Sequence, residues 1–495
     1  MAAFNLLETT IADVHAAYQS GRLTARQLVG MYLDRIEAYD KKGPALNAII
    51  TVNPKALDEA DRLDAAYKAG GFVGPLHGIP IVVKDQADAK GMPTTLGSLL
   101  FKDYHPDRDA FVVEKLKKAG AIILAKATLG ELGGGDTHGS LFGSTKNPYD
   151  LARTAGGSSG GSAASVAANY ATVGMGQEGF ASIRRPATWN SIAGMRPTAG
   201  LVSRGGVFAG WPEIAGSLGP MARTVTDLAV LLDAMVGYDP EDPVTAQGVG
   251  RAPESYTTFL DPNGLKGKRI GVLREPMGFE TEPGTEDFKK IEEVFDKAVA
   301  EMKKAGAEIV DPVVIPNLNA LLAKRSGSYV NAEDGFKLYF GRSARAPFAS
   351  RQEATKSPDF PKVMRRSQQR WTRAEDPAKH YEYLLAREEL TTNFLKVMAD
   401  HRLDAVVHKA VEHQPTLIAD AFKPPFVDQK GAPHLNTFLV FAPSIVVPAG
   451  YTRDNLPAGI CFLGRPYDDG SMIRLAYAYE QATHHRRPPS STTPL

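Results

Sequence analysis

The stretch of sequence that most constrains this chain is residues 154–186, which is rich in glycine, serine and alanine. It reads TAGGSSGGSAASVAANYATVGMGQEGFASIRRP, with a glycine–serine turn at 156–161 and a run of small residues at 162–173. Small side chains allow close packing, so this run predicts a central helix that begins just after the turn. The backbone N–H groups at its N-terminus would favour an anion. Two serines in such surroundings, Ser158 and Ser182, indicate nucleophile chemistry.

The rest of the chain alternates strand-like and helix-like patterns. An apolar strand at 79–83 follows a glycine–proline turn, and a helix that begins at Phe111 stops at Gly120 before an apolar strand at 122–125. The same order of helix and strand returns at 288–310. This alternation predicts an α/β fold, with a mixed or largely parallel sheet covered by helices.

Periodic apolar residues predict further elements outside these segments. They are helices at 10–20, 24–39, 380–400 and 471–483, a strand at 269–273 and two strand-like pieces within 437–466. Thr24 is the predicted N-cap of the second helix. The basic run PKVMRRSQQRW at 361–371 is interpreted as a solvated helix face.

Composition excludes several classes of function. The 57 basic and 56 acidic residues nearly balance, so we expect neither a nucleic-acid partner nor an anionic membrane partner. Cys461 is the only cysteine, which excludes an internal disulfide framework and a cysteine-cluster metal site. The N-terminus lacks the pattern of a secretory signal, and no stretch reaches the about 18 apolar residues of a membrane span. We therefore expect a cytoplasmic protein.

Two phosphate-binding interpretations of the glycine-rich stretch do not hold. A P-loop needs a lysine after its last glycine, whereas Gly161 is followed by Ser162. Residues 174–179 match the spelling of a dinucleotide-binding loop, but Pro186 follows soon afterwards and opposes the helix that such a loop must open. We interpret this match as coincidence.

A serine hydrolase is the third interpretation, and it needs a base. The chain has no GxSxG elbow, and the nearest histidines, His77 and His138, show no triad context. Lys84 ends the apolar strand at 79–83. Burial there would lower the pKa of the lysine toward the range in which the neutral amine acts as a base. A solvated lysine is the alternative that this stretch alone leaves open.

Four motifs taken together resemble the amidase signature family. They are GPLHGIPIVVKD, AGGSSGGSAA, QEGFASIRRP with GMRPTAGLVS after it, and SIVVPAG…LPAGICFLGRP…AYEQAT, in the family's order. The resemblance implies an amidase signature fold of the α/β class, with a central mixed β-sheet covered on both faces by helices. It also implies one domain over 1–495, with a variable, mainly helical substrate-side insertion around 311–435. We expect no cofactor and no metal.

The resemblance implies a Ser–Ser–Lys triad. In that family the lysine is the base, the first serine of the turn follows a cis peptide bond, and the serine before Ile-Arg is the nucleophile; these positions match Lys84, Ser158 and Ser182. Ser182 would pass its proton to Ser158, which would pass its own to neutral Lys84. We expect the three side chains in one hydrogen-bonded chain and a cis bond between Gly157 and Ser158.

The loop before Ser182 departs from the family. Its usual sequence, Gly-Thr-Asp-Thr-Gly-Gly-Ser, is here Gly-Gln-Glu-Gly-Phe-Ala-Ser, so Phe180 and Ala181 replace two glycines. If those glycines need a positive φ, the loop must adjust. The backbone N–H groups of Gly179, Phe180 and Ala181 are the expected oxyanion hole. Phe180 is expected to line the substrate pocket and to influence specificity.

The resemblance assigns supporting roles to four more residues. Ser159 is expected to support the triad by hydrogen bonding, and Leu132 to present a backbone carbonyl to the substrate or acyl pocket. Glu178 stands where the family has an aspartate. We expect an ion pair between Glu178 and Arg184 that braces the loop.

The expected function is hydrolysis of amide C–N bonds, on small to medium amides with an aliphatic or aryl part. Carbamates and esters share the geometry at the carbonyl and stay possible substrates. We expect a small-molecule amide as the partner, and a monomer or homodimer. The alternatives are the A subunit of a glutamyl-tRNA amidotransferase, and a non-catalytic binding protein on a decayed amidase fold.

Overall fold

One large β-sheet forms the centre of the molecule. The computed structural model describes residues 4–208, 214–325, 332–424 and 426–495. Within them the sheet has eleven strands, numbered here in chain order: β1 (Ile49–Val52), β2 (Pro80–Lys84), β3 (Ile122–Ala127), β4 (Val173–Glu178), β5 (Ala193–Arg196), β6 (Ser217–Ala222), β7 (Arg269–Leu273), β8 (Glu308–Val313), β9 (Ala405–Lys409), β10 (Ser444–Tyr451) and β11 (Pro457–Leu463).

The sheet is mixed. Its spatial order is β1-β3-β2-β4-β6-β5-β10-β11-β9-β7-β8. The pairs β3–β2, β2–β4, β9–β7 and β7–β8 are parallel, and the other six pairs are antiparallel. The predicted α/β fold with a central mixed sheet is therefore confirmed.

Helices flank this sheet. Those of the described residues are α1 (Ile11–Gln19), α2 (Ala25–Tyr39), α3 (Ala56–Gly70), α4 (Phe111–Lys118), α5 (Gly160–Ala167), α6 (Arg184–Trp189), α7 (Val225–Met235), α8 (Glu286–Lys304), α9 (Leu318–Leu322), α10 (Ala332–Phe340), α11 (Arg351–Thr355), α12 (Arg365–Trp371), α13 (Pro377–Asp400), α14 (Leu435–Phe438) and α15 (Asp469–Thr483). Helix α5 packs on β2 and β4, and α6 packs on β5, β10 and β11. None of the helices described is long and apolar enough to cross a membrane.

Most predicted elements are present, with shifted ends. The N-cap prediction is confirmed, because Thr24 accepts a hydrogen bond from the amide of Gln27 in a capping box. The small-residue helix is shorter than expected. It begins at Gly160, inside the turn, and ends at Ala167. Asn169 then adopts a left-handed φ of 59° and the chain turns into β4, so the prediction of helix up to residue 173 was wrong.

The segment that matches a dinucleotide-binding loop, 174–179, is mostly strand. Gly174 and Gly176 lie within β4, and a Cβ at Gly176 would lie about 3.0 Å from the side chains of Ile183 and Ser159. Close packing therefore explains these glycines, in keeping with a coincidental match.

The described residues of the stretch 311–435 include helices α9 to α13. They also include β9, which joins the central sheet. Residues 326–331 and 425 of this stretch lie outside the described residues. Its role as a substrate-side insertion stays a prediction.

Candidate active site

Lys84, the predicted base, contacts Ser158, the predicted relay serine. Lys84 is the last residue of β2, next to β4, and its side chain is fully buried. Its Nζ lies 2.7 Å from Ser158 Oγ and 3.3 Å from the backbone oxygen of Gln177 in β4. The lysine therefore faces the glycine–serine turn, and the solvated alternative for Lys84 is excluded.

Burial controls the charge of this lysine. It holds the pKa of Lys84 well below its usual range, and the negative charge of Glu178 acts in the opposite direction. A lysine with a lowered pKa is neutral over a wider pH range, and a neutral amine can accept a proton.

Ser158 has the expected backbone geometry. The peptide bond between Gly157 and Ser158 is cis, and the side chain is fully buried. Besides its contact with Lys84, Ser158 Oγ donates a hydrogen bond of 3.0 Å to the backbone oxygen of Gly133. The position of this hydroxyl is thus fixed by an amine on one side and a carbonyl on the other.

Ser182 lies beside these groups without completing the expected chain. It is 5% exposed, and its backbone oxygen accepts a 3.1 Å hydrogen bond from the amide of Ser159. Among the described residues, the Ser182 hydroxyl makes no hydrogen bond with Ser158. The expected hydrogen-bonded chain is therefore present only in its Lys84–Ser158 link, and the Ser158 hydroxyl donates to the Gly133 carbonyl instead of to Lys84.

The loop between β4 and Ser182 leaves backbone donors available. No carbonyl or side chain of the described residues accepts from the amides of Gly179, Phe180 or Ala181. None of these residues has a positive φ. Phe180 and Ala181 thus replace the family's glycines without left-handed backbone at their positions.

A buried ion pair braces the same loop. Glu178 accepts from Arg184 Nε at 2.7 Å and from the amides of Ile183 and Arg184 at 2.8 and 2.9 Å. Burial acts to raise the pKa of Glu178, but the charges of Arg184 and Arg196 outweigh it and hold that pKa below its usual value. The expected Glu178–Arg184 pair is confirmed.

The two residues expected to assist the triad lie close to it. Ser159 Oγ lies 3.3 Å from both the oxygen and the nitrogen of Gln177, and so links the turn to β4. Leu132 has a left-handed φ of 55°, and its amide donates to Leu96. The carbonyl that accepts from the Ser158 hydroxyl belongs to the next residue, Gly133. The sequence signal for it is the run Gly133-Gly134-Gly135.

Phe180 forms an aromatic cluster with His434 and Phe279. Its ring is 4.8 Å from that of His434 in an edge-to-face arrangement, and His434 stacks on Phe279 at 5.5 Å. The guanidinium of Arg325 lies 4.0 Å from the centre of the Phe180 ring. Burial and the charge of Arg325 lower the pKa of His434 to about 3, so the imidazole is neutral. Phe279 and His434 had no sequence signal, since only the fold brings them to residue 180.

The interpretation of the basic run as a solvated face was wrong. In α12, Arg365 is exposed, but Arg366 and Arg370 are half-buried. Arg370 donates to the backbone oxygen of Glu131 at 2.8 Å, and Arg366 donates to that of Asp136. Both therefore contact the loop that carries Gly133.

Known proteins share this arrangement of elements. The model of the family described as Amidase matches residues 27–473. The native peptide amidase of Stenotrophomonas maltophilia superposes with a TM-score of 0.86 at 35% identity, covering 98% of this chain and 99% of that one. A probable amidase of Arabidopsis thaliana is 33% identical over 512 residues, 98% of this chain and 92% of the relative. The glutamyl-tRNA(Gln) amidotransferase A subunit of Methanosarcina barkeri is 33% identical over 94% of this chain and 96% of the relative.

Proposed function

Since this chain belongs to the amidase signature family of hydrolases, we propose that it cleaves amide C–N bonds through an acyl-enzyme on Ser182, with Ser158 and neutral Lys84 as the proton relay. The observation that carries this proposal is the 2.7 Å contact between Lys84 Nζ and Ser158 Oγ at a fully buried lysine. A serine hydroxyl is a weak nucleophile unless an adjacent group takes its proton, and this pair supplies such an acceptor.

The first half of the reaction forms the acyl-enzyme. Ser182 Oγ attacks the carbonyl carbon while its proton moves to Ser158, whose own proton moves to Lys84. For this the Ser158 hydroxyl turns from the Gly133 carbonyl to Lys84, a rotation open to any hydroxyl. The proton then returns along the same path to the leaving nitrogen, and the C–N bond breaks.

The second half regenerates the enzyme. Water attacks the acyl carbon, gives its proton to the same relay and releases the acid, and Ser182 recovers its hydroxyl hydrogen. In both halves the amides of Gly179, Phe180 and Ala181 stabilise the oxyanion. A single donor of this kind is typically worth roughly 3–4 kcal/mol.

The aromatic cluster around Phe180 supports the proposed substrate class. An apolar or aryl acyl part suits the Phe180 and Phe279 rings and the neutral His434. The similarity to a peptide amidase adds amides of short peptides as substrates to test. Carbamates and esters present the same carbonyl geometry and belong in the same panel.

A serine-directed fluorophosphonate tests the mechanism. We expect one label per chain, mapped to the peptide that contains Ser182, and loss of both labelling and amide hydrolysis in Ser182→Ala. Lys84→Ala should slow labelling about 100-fold or more, because general base assistance of this kind contributes about 10² to 10⁴. Labelling at any other residue, or undiminished labelling in Lys84→Ala, would overturn the proposal.

The second candidate is the A subunit of a glutamyl-tRNA amidotransferase. Similarity over nearly the full length to such subunits favours it. In that case the isolated chain would hydrolyse neither aryl nor peptide amides, and glutaminase activity would need partner subunits. Activity of the purified chain on simple amides decides for the stand-alone enzyme, which we expect to be a cytoplasmic monomer or homodimer.

A further inference from the structure

The three glycines before Asp136 have different reasons to be glycine. Gly133 and Gly135 have φ of +78° and +80°, a region that favours glycine. Gly134 has φ −143° and ψ 158°, an extended backbone that any residue can adopt. A Cβ at Gly134 would overlap the guanidinium of Arg370. The middle glycine is therefore explained by the arginine that lies against it.

Two arginines one helical turn apart hold this loop at both ends. Arg370 donates to the oxygen of Glu131 at 2.8 Å, and Arg366 donates to the oxygen of Asp136. Arg366 also pairs with Asp428, whose carboxylate accepts from the amide of Asp136 at 2.7 Å. Residues four apart share one helix face, so α12 presents both guanidinium groups to the loop together.

The helix itself is fixed to the same loop. The amide of Met364, which precedes α12, donates to the carboxylate of Glu131 at 2.9 Å. Glu131 is fully buried, and its other carboxylate oxygen accepts from the amide of Ser140 at 3.1 Å. The arginines therefore contact the loop from a helix whose start is bonded to that loop.

We propose that Arg370 is a positioning residue for amide hydrolysis. Its guanidinium packs against Gly134 and keeps the Gly133 carbonyl at the position where it accepts a hydrogen bond from the Ser158 hydroxyl. This inference rests on the proposed function. A run of three glycines has high backbone freedom, whereas a relay hydroxyl needs a fixed position. A misplacement of about 1 Å can cost a factor of about 10² in rate.

The test uses the full chain with three variants: Arg370→Ala, Gly134→Ala and the double variant. Arg370→Ala should lower kcat about 10- to 100-fold, leave KM within about twofold, and slow fluorophosphonate labelling of Ser182 by the same factor as kcat. Gly134→Ala should have the same effects on kcat, KM and labelling, since the added Cβ displaces the Arg370 guanidinium. The double variant should lose no more than the worse single variant, as for two changes that remove one contact.

Matched controls separate positioning from loss of structure. Gly30→Ala, in α2, places a Cβ where nothing lies within 4 Å, and Arg365→Ala removes the exposed arginine of the same helix. Both should keep kcat within about twofold. Final labelling of one site per chain in every variant shows a folded site that reacts slowly. Arg370→Lys should recover part of the rate, because lysine retains a charged donor but lacks the planar fork.

Several outcomes would overturn the inference. They are a kcat of Arg370→Ala within twofold of the parent, a loss confined to KM, or losses that multiply in the double variant. If Arg370→Ala does not fold, the Gly134→Ala result decides alone. A parent chain that neither labels nor hydrolyses amides would instead overturn the proposed function, and so the two failures are distinguishable.

Discussion

At the scale of single residues, the candidate site contains a fully buried lysine whose pKa is lowered. Taking an ammonium group out of water is unfavourable, so burial lowers the pKa of Lys84 although Glu178 opposes the shift. The amine retains two partners at its Nζ, the Ser158 hydroxyl and the Gln177 carbonyl. A buried lysine lowers the stability of the fold, because its charged form is unfavourable there. Such groups are typical of sites selected for reactivity.

Lys84→Met should abolish amide hydrolysis and change how stability depends on pH. The unfolded lysine is protonated below pH about 10.4, whereas the folded lysine is neutral down to its lowered pKa. Between these limits the unfolded state binds one more proton, so this lysine makes stability rise with pH by about 1.4 kcal/mol per unit. Below the lowered pKa the contribution is constant.

Urea unfolding of the parent and of Lys84→Met at several pH values measures this effect. The difference between the two free energies of unfolding should grow from pH 7 to pH 9 in favour of the parent. Parallel curves would mean that Lys84 is charged in the folded protein. The kcat/KM of the parent should fall as the pH drops through the lowered pKa, since the base becomes protonated.

At the scale of elements, one strand and its following loop organise the site. Strand β4 supplies the Gln177 carbonyl to Lys84 and Ser159, and it ends at Glu178. Glu178 bonds the amides at the start of α6 as well as the side chain of Arg184. A carboxylate at a helix N-terminus is favoured by the exposed amides there. Ser182, the proposed nucleophile, thus lies between a strand and a helix that the Glu178 side chain joins.

Glu178→Gln should lower the free energy of unfolding by about 3–5 kcal/mol, because it leaves the buried charge of Arg184 without its partner. The glutamine has the same shape, and so the effect reports the charge. Urea denaturation measures it. The matched control is Glu37→Gln, which removes an exposed pair with Lys42 and should change stability much less. Equal effects of the two variants would contradict a bracing role for the buried pair.

At the scale of the whole molecule, distant parts of the chain meet at the far end of α5. The last carbonyl of this helix, that of Ala167, accepts from Arg486 of the C-terminal segment, and the carbonyls of Ala168 and Asn169 after it accept from Arg35 of α2. Arg35 also bonds the oxygens of Thr492 and Thr493, and Arg486 pairs with Glu8. Cations suit the C-terminus of a helix. The N-terminus of this same helix lies at the candidate active site.

Arg486→Ala should lower the free energy of unfolding by about 1–3 kcal/mol, since it leaves Glu8 and buried carbonyls without a charged donor. The folded variant should retain the kcat of the parent, because the change lies at the opposite end of α5. Arg453→Ala, which removes an exposed pair with Glu286, is the control and should have little effect. A loss of kcat with unchanged stability would contradict this assignment.

Local sequence patterns predicted much of the fold. The strand Arg269–Leu273 was predicted at its observed limits, because a short apolar run between turn residues is a local signal. The end of α5 was not, since it depends on the left-handed turn at Asn169. The candidate triad of Lys84, Ser158 and Ser182 was predicted from the resemblance of its motifs to the amidase signature family.

Only the tertiary structure decided what surrounds these residues. Three contacts join segments that are far apart in the chain. They are the hydrogen bond from Ser158 to Gly133, the packing of Arg370 against Gly134, and the ring contact of His434 with Phe180. Such contacts leave no periodic pattern, because each depends on how helices and loops pack rather than on neighbouring residues. Helix α12 therefore has the sequence of a solvated face, although Arg366 and Arg370 contact the loop that carries Gly133.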